Sequence, residues 1–415
     1  METIFVQIAS YKDPELPKTI SDCLLKAKYP ERLRFGICWQ KTDDENLDKY
    51  LGDNRFRVHT VHWTEAKGVG WARNICNSLY KYEDFTLQID SHHRFDIGWD
   101  ESLINQWKLC KHPKAVLTGY PPGYEYTESG EIVKNNLPPM TMIVKGFDYG
   151  FIPTFKSWHV YNTQRVKAPF RGCFIAAGFL FTLGKVCEEV PYIKEVYFTG
   201  EEILYSARLF TYGYRIFYPN SWVIWHLYER KTSQRPWDDF TKKEDLNKIY
   251  SEQQQLSFDV LKGALYGDPK YRHFFGNQNT ISEFEMYSGV SIIHKIIHPN
   301  MLKGFEPPFA TVKGWENIVK PYKELKIKLN INISDIPEYD DYQFWYFGLH
   351  DENCNELYRE DIRELDGKTF SRHNVEYNGT IFLREKPVKY VLWPFSKSKG
   401  WLERLVYDIP EDAIQ

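Results

Sequence analysis

The sequence is short of several features that define common protein classes. Its seven cysteines are scattered, and none stands in C-x-x-C spacing, which argues against a thiolate metal site or a disulfide framework. No apolar run approaches the roughly 20 residues that a membrane-spanning helix needs. The chain has neither a P-loop nor a G-x-G-x-x-G motif. A strand begins almost at Met1, without a basic leader, and we therefore predict a cytoplasmic protein with reduced cysteines.

The charge pattern disfavours nucleic acid as an electrostatic partner. The formal net charge is −3, and residues of both signs are mixed along the chain without a basic stripe. Aromatic residues, in contrast, make up 17 % of the chain. Such a content suits a protein that handles sugar rings, although an aromatic-rich core explains most of these residues equally well.

The most informative stretch follows a short buried strand at 85–89. Asp90 ends this strand, and His92 comes two residues later. If the chain stays extended here, both side chains point to the same side, because side chains of a strand alternate. A carboxylate with an imidazole suits Mn²⁺ or a similar divalent ion. Alone, this spacing is more often a solvated surface turn.

A second apolar strand also ends in a possible ligand. Residues 223–225 are apolar, and His226 follows them. Together with Asp90 and His92, it would complete a set of three ligands at two strand ends, where sites in α/β sheets lie. Arg230 and Lys231 follow in a polar segment that could fold over a diphosphate.

The first 220 residues alternate between strand and helix patterns. This order predicts an α/β fold with a mainly parallel, doubly wound sheet. Beyond about residue 305 the pattern changes to alternating strands separated by turns, which predicts an antiparallel β-sandwich. We therefore predict two domains, at 1–305 and 306–415.

Three stretches of the first domain have both a structural and a functional interpretation. Gly68 and Gly70 begin a helix, either as a tight turn or as a phosphate cradle, and Arg73 in its first turn could reach a phosphate. Residues 120–170 lack periodicity, which predicts a long functional loop for acceptor recognition. Glu201 and Glu202 begin a further helix, either as dipole-stabilising acids or as a base and hydrogen-bond partner for the substrates.

Several motifs, in this order, resemble a GlcNAc-transferase family whose type member is a cytoplasmic enzyme that modifies hydroxyproline on a ubiquitin-ligase subunit. The matching pieces are IASYKD at 8–13, GWAR at 70–73, DSHHRF at 90–95, AGFLF at 177–181, GEEI at 200–203 and WH at 225–226. The resemblance covers residues 1–290. It implies the GT-A fold and a site layout similar to that of the polypeptide GalNAc-transferases.

The resemblance also implies a retaining transfer from a UDP-sugar, with UDP-GlcNAc as the first expectation, to a hydroxyl acceptor. Asp90, His92 and His226 would hold Mn²⁺ or Mg²⁺, and Glu201 or Glu202 would face the sugar and the acceptor. The nucleotide would contact six residues: Ser10, Tyr11, Asp13, Gln40, Arg73 and Asp90.

Other interpretations remain open at this point. The acceptor could be a protein hydroxyl, a glycan precursor or a modified nucleobase. The chain could also bind nucleotide sugars or carbohydrates without transfer, or use the three metal ligands to hydrolyse a phosphoester. The predicted β-sandwich could bind a glycan, form a homodimer or brace the first domain.

Overall fold

The chain forms two compact units. The structure is a computed structural model that describes residues 1–160, 166–229, 235–241, 244–319, 322–331, 342–362 and 375–414. The N-terminal unit comprises 1–144, 155–288 and 299–309, and the C-terminal unit comprises 145–154, 289–298 and 310–415. The predicted domain limits at 305/306 stay a prediction, because compactness alone does not show that either part folds independently. Arg230 and Lys231 lie outside the described residues.

The strands up to residue 226 carry most of the fold. In chain order they are β1 (Ile4–Tyr11), β2 (Leu33–Lys41), β3 (Phe56–His62), β4 (Phe85–Asp90), β5 (His93–Phe95), β6 (Ala115–Thr118), β7 (Tyr124–Tyr126), β8 (Ile132–Lys134), β9 (Met140–Asp148), β10 (Ile152–His159), β11 (Phe170–Arg171), β12 (Phe179–Leu183), β13 (Arg215–Tyr218) and β14 (Ile224–His226).

The helices alternate with these strands and continue beyond them. They are α1 (Leu16–Lys26), α2 (Asp48–Leu51), α3 (Val69–Ser78), α4 (Trp99–Leu109), α5 (Val186–Glu189), α6 (Glu201–Thr211), α7 (Pro236–Phe240), α8 (Glu244–Leu265), α9 (Ile281–Ser288), α10 (Pro299–Leu302) and α11 (Val312–Val319). None of the described helices combines the length and the apolarity that crossing a bilayer requires.

The central sheet is mixed rather than mainly parallel. Its eight strands lie in the order β11-β13-β6-β12-β4-β1-β2-β3. Strands β3, β2, β1 and β4 are parallel, as the strand–helix alternation predicts, but β12 lies antiparallel between β4 and β6. The α/β class is thus confirmed, while the prediction of a mainly parallel sheet is wrong. The reason is that β12 is buried, and a buried strand has the same apolar pattern in either direction.

The predicted long loop at 120–170 contains strands instead. Strands β7 and β8 form one antiparallel hairpin, and β9 pairs with β10 in a second two-stranded sheet. These pairs lie outside the central sheet, and the side chains of β8 are mostly exposed. Strand β8 therefore lacks the apolar alternation that would have predicted it.

The C-terminal unit is antiparallel, as expected. Its strands are β15 (Val290–Ser291), β16 (Ile296–Ile297), β17 (Lys323–Ile331), β18 (Tyr342–His350), β19 (Glu356–Ile362), β20 (Val375–Leu383), β21 (Lys389–Ser396), β22 (Gly400–Trp401) and β23 (Leu405–Asp408). Strand β17 pairs with β20, and a five-stranded sheet has β18 and β21 at its centre. Both sheets contribute to one apolar cluster, which includes Leu329 and Phe347. A β-sandwich stays a prediction.

Candidate active site

Two strand ends bring the three predicted metal ligands together. Asp90 ends β4 and His226 ends β14, which pairs antiparallel with β5, so that His226 lies opposite His93. The amide of Leu227 donates a hydrogen bond to the carbonyl of His92 at 3.1 Å. These backbone contacts place the second strand end beside the turn that follows the first.

The ligand atoms of the three side chains lie within coordination range of one another. Nε2 of His92 and Nε2 of His226 are 3.0 Å apart, and Nε2 of His226 is 3.3 Å from Oδ2 of Asp90. Nε2 of His92 is 4.0 Å from the same oxygen. Adjacent ligands of an octahedral divalent ion are about 3 Å apart, since each lies roughly 2.1 Å from the ion. Two nitrogens and one oxygen therefore fit a small divalent cation.

The chain bends between the first two of these residues. Ser91 and His92 form a bend rather than the extended segment that the sequence predicts. The hydroxyl of Thr19 donates a hydrogen bond to the carbonyl of Ser91 at 2.7 Å, and the hydroxyl of Ser91 donates to Oδ2 of Asp13 at 2.6 Å. The imidazole thus lies beside the carboxylate because of the bend and not because of strand alternation.

Asp13 lies directly behind His92. Its Oδ2 is 2.7 Å from Nδ1 of His92, and the residue is 1 % exposed. Burial alone would raise the pKa of the Asp13 carboxyl, but the hydrogen bonds from His92, Ser91 and the amide of Glu15 lower it to about 2. The carboxylate is therefore ionised, and its predicted contact with a nucleotide base stays a prediction.

Arg73 connects two acidic residues across the site. Its guanidinium donates to Oδ1 of Asp90 at 3.1 Å and to Oε2 of Glu201 at 3.1 Å. Burial would raise the pKa of Asp90, but the His226 hydrogen bond and the Arg73 charge hold it well below its ordinary value. The guanidinium thus bridges Asp90 and Glu201 at the cavity wall, and its predicted phosphate contact stays a prediction.

The two glutamates of α6 have different surroundings. Burial and the nearby carboxylates of Glu202 and Asp90 outweigh Arg73 and raise the pKa of Glu201 to about 8. Glu202 accepts hydrogen bonds from the amide of Ala177 at 2.9 Å and from the hydroxyl of Tyr120 at 2.7 Å. Burial raises the pKa of Glu202, and these two hydrogen bonds offset only part of the rise. Glu201 therefore contacts Arg73, whereas Glu202 contacts Tyr120 and the backbone of Ala177.

Gly68 and Gly70, at the start of α3, do not form a phosphate cradle. The amides of Val69 and Gly70 already donate to the carbonyls of Tyr197 and Val196, at 2.7 and 3.1 Å. A Cβ atom on Gly68 would lie 2.5 Å from the carbonyl oxygen of Tyr197, and its φ of 93° is in the region that favours glycine. The glycines therefore allow close packing of the helix start.

A cavity of about 420 Å³ joins these groups. With His226, its lining includes nine predicted site residues, of which the other eight are Tyr11, Asp13, Gln40, Arg73, Asp90, His92, Glu201 and Glu202. Ser10 does not line it, because it is fully buried, and its predicted contact with a nucleotide has no support from this position.

Sequence reasoning missed the aromatic part of the cavity wall. Tyr120, Tyr197, Phe198, Tyr228 and Trp237 also line the cavity. The rings of Phe198 and Trp237 are 4.9 Å apart, and Trp237 belongs to α7. The neighbouring Asp239 accepts hydrogen bonds from Tyr11 and Lys12 at 3.0 and 2.8 Å, which holds α7 against the end of β1. These contacts join residues about 227 positions apart, so no local sequence pattern could predict this part of the wall.

Comparison with known proteins identifies a family. The sequence profile of the family described as Glycosyltransferase (GlcNAc) matches residues 3–51 and 45–294, which is more than half of the chain. This region contains all the ligand and glutamate positions described above. No curated protein matches the chain.

Solved structures show distant likeness. The crystal structure of GalNAc-T7 with UDP, GalNAc and Mn²⁺ has a TM-score of 0.46 at 15 % identity, and the match covers 68 % of this chain and 54 % of that one. The chain thus spans about half the length of GalNAc-T7. The crystal structure of S. aureus TarS has a TM-score of 0.37 at 12 % identity, covering 98 % of this chain and 77 % of that one. The family match carries the identification.

Proposed function

The chain belongs to the glycosyltransferase (GlcNAc) family, and from this premise we propose that it transfers GlcNAc from UDP-GlcNAc to a hydroxyl acceptor in a metal-dependent reaction with retention of configuration. The proposal assigns the GT-A fold to the N-terminal unit. The observation that carries it is the convergence of Asp90, His92 and His226 beside one cavity within the family region.

The donor atoms support Mn²⁺ or Mg²⁺ as the bound ion. Asp90 is ionised and held by Arg73 from one side, and both imidazoles present Nε2 to the same point. Mixed nitrogen and oxygen ligands favour Mn²⁺ over Mg²⁺, which prefers oxygen. A bound divalent ion would neutralise the charge that develops on the diphosphate leaving group.

The remaining cavity residues would bind and orient the donor. Tyr11 and Gln40 lie at the ends of β1 and β2, where the nucleotide base would be held. Trp237 and Phe198 add apolar faces at the same cavity. The volume of about 420 Å³ falls within the range of roughly 300–1,000 Å³ that is usual for small-molecule sites.

Of the two glutamates, Glu202 is the better candidate for contact with the sugar and the acceptor. Its carboxylate is oriented by Tyr120 and by the amide of Ala177, and it lines the cavity. Glu201 instead accepts a hydrogen bond from Arg73 and thereby helps to hold Asp90. We assign Glu202 to substrate orientation or proton transfer, and Glu201 to positioning of the metal ligand.

A donor screen tests this function directly. The purified chain is incubated with UDP-, GDP- and CMP-sugars in Mn²⁺ buffer, and release of each free nucleotide is measured. We expect slow release of UDP from UDP-GlcNAc that stops when the metal is chelated. Release of GDP or CMP alone would refute the donor assignment. Phosphoester cleavage without any sugar donor would instead indicate a hydrolytic metal centre.

The anomeric configuration is tested in the same assay. If UDP release leads to transfer, the product formed on a simple hydroxyl acceptor can be examined by proton NMR. We expect the new glycosidic bond to have the α configuration of the donor. A β product would refute retention but would leave the donor and the metal assignments intact.

A further inference from the structure

The contact between Asp13 and His92 joins two segments that are 79 positions apart. Asp13 follows β1, and His92 follows β4, its neighbour in the sheet. Oδ2 of Asp13 lies 2.7 Å from Nδ1 of His92, while Nε2 of the same ring lies 3.0 Å from Nε2 of His226. One edge of the imidazole thus faces a buried carboxylate, and the other faces the metal ligands.

This arrangement determines which ring nitrogen carries the proton. Both oxygens of Asp13 already accept hydrogen bonds, Oδ1 from the amide of Glu15 and Oδ2 from the hydroxyl of Ser91. The group that faces Nδ1 of His92 is thus an acceptor, so Nδ1 must be the donor. Nε2 then keeps its lone pair, which is what a metal ion needs. We propose that Asp13 is a positioning residue that fixes His92 in its metal-binding tautomer and orientation, and so sets the affinity for the ion. The proposal rests on the metal site of the proposed function.

Asp13 also has a local structural role that must be separated from this one. Its Oδ1 accepts a hydrogen bond from the amide of Glu15 at 3.0 Å, just before α1. The substitution Asp13→Asn keeps this role and changes the contact with His92. Its amide oxygen can still accept from Glu15, and its amide NH₂ then faces Nδ1 of His92. The hydroxyl of Ser91, which donates to Oδ2 of Asp13 at 2.6 Å, can rotate to accept from the new NH₂ group. Because NH₂ donates, His92 would be driven to carry its proton on Nε2, where the metal binds.

The experiment measures Mn²⁺ affinity without turnover. The dissociation constant is obtained from the EPR signal of free Mn²⁺ during titration, in the presence of UDP. We expect Asp13→Asn to bind Mn²⁺ on the order of 10- to 100-fold more weakly than the wild type, as is typical when a second-shell partner is lost. Far-UV circular dichroism verifies that the variant is folded.

Asp100→Asn is the matched control. Asp100 is also fully buried and accepts hydrogen bonds from the amides of Lys28 and Tyr29, at 2.7 and 3.1 Å, and its charged partner is Arg32 rather than His92. We expect this variant to lose stability and to keep the Mn²⁺ affinity of the wild type. Equal weakening in both variants would show a general effect of removing a buried carboxylate, and would overturn the proposal.

A second measurement needs no variant of Asp13. Long-range ¹H–¹⁵N NMR spectra of the metal-free wild type report which nitrogen of each histidine is protonated, and His92→Gln assigns the signal. We expect His92 to be protonated on Nδ1. Protonation on Nε2 would overturn the proposal while leaving metal binding possible. Absence of Mn²⁺ binding by the wild type would refute the metal site itself, and the proposal with it.

Discussion

At the scale of single residues, the site consists of charged and titratable groups that hold one another in place. Arg73 is buried between Asp90 and Glu201, and Asp13 is buried behind His92. Arg73 restrains Asp90, and Asp13 restrains His92. Both restrained side chains line the cavity. Burying such groups is costly unless they are paired, and the pairing therefore limits each side chain to one arrangement.

Glu201 should make the stability of the protein depend on pH. Its pKa is raised from 4.5 to about 8 in the folded state, so that between these values the folded chain holds a proton that the unfolded chain has lost. The free energy of unfolding should therefore fall as the pH rises from 5 to 8, by up to about 1.4 kcal/mol per pH unit. Glu201→Gln removes this dependence.

Urea unfolding at four pH values measures the effect. At each pH, the free energy of unfolding of Glu201→Gln is subtracted from that of the wild type. The control is the same subtraction for Glu101→Gln, which changes an exposed glutamate that pairs with Lys28. Parallel pH curves for wild type and Glu201→Gln would contradict the raised pKa.

At the scale of secondary structure, the site is formed where strands of two different sheets end. Strand β4 belongs to the eight-stranded sheet, and β14 pairs with β5 in a separate sheet. The segment before β12 completes the wall, because Gly178 lies directly against the carboxylate of Asp90. Close approach of this backbone requires that residue 178 have no side chain.

We predict that Gly178→Ala weakens metal binding without unfolding the chain. A Cβ atom at this position would lie 2.8 Å from Oδ2 of Asp90, so that the carboxylate must move away from the histidines. The dissociation constant for Mn²⁺ should increase on the order of 10-fold. Gly52→Ala is the control, since its added Cβ would meet no atom within 4 Å. Unchanged affinity in Gly178→Ala would contradict this role of the glycine.

The sequence predicts some of these elements and not others, for physical reasons. Strands β1 to β4 and helices α1 and α3 have clear apolar periodicity. Asp90 ends β4 and His226 ends the apolar strand β14, so both positions are recognisable from the sequence. The direction of β12 and the hairpins between β6 and β11 could not be predicted, since direction and pairing depend on distant partners. The contacts of Asp13 and Asp239 are equally non-local, and local spacing carries no sign of them.

At the scale of the whole molecule, the family match ends before the larger sheets of the C-terminal unit. The family match ends at residue 294, and the sheets of β17 to β23 follow it. The C-terminal unit has its own apolar core, which includes Phe347 at 0 % exposure. Its role and the cytoplasmic location stay predictions, as does the acceptor.

Separate cores predict separate unfolding transitions. Phe347→Ala should destabilise the C-terminal unit by about 3–5 kcal/mol, and Phe181→Ala should do the same to the N-terminal unit, where Phe181 is also fully buried. Scanning calorimetry with and without Mn²⁺ distinguishes the unfolding transitions of the two units. Phe181→Ala should lower the midpoint temperature of the N-terminal transition. We expect Mn²⁺ to raise the midpoint temperature of this transition only, because the ion binds the N-terminal unit. A single transition lowered by both variants would contradict independent cores.

The most direct test of the metal-dependent transfer is UDP release from UDP-GlcNAc by the wild type and by His226→Ala, each measured with EDTA and with added Mn²⁺. His226 belongs to the second strand end, so the variant leaves Asp90 and His92 in place. We predict release by the wild type only with Mn²⁺, and none by the variant under either condition. Equal release by both proteins, or wild-type release that EDTA does not reduce, would contradict the account.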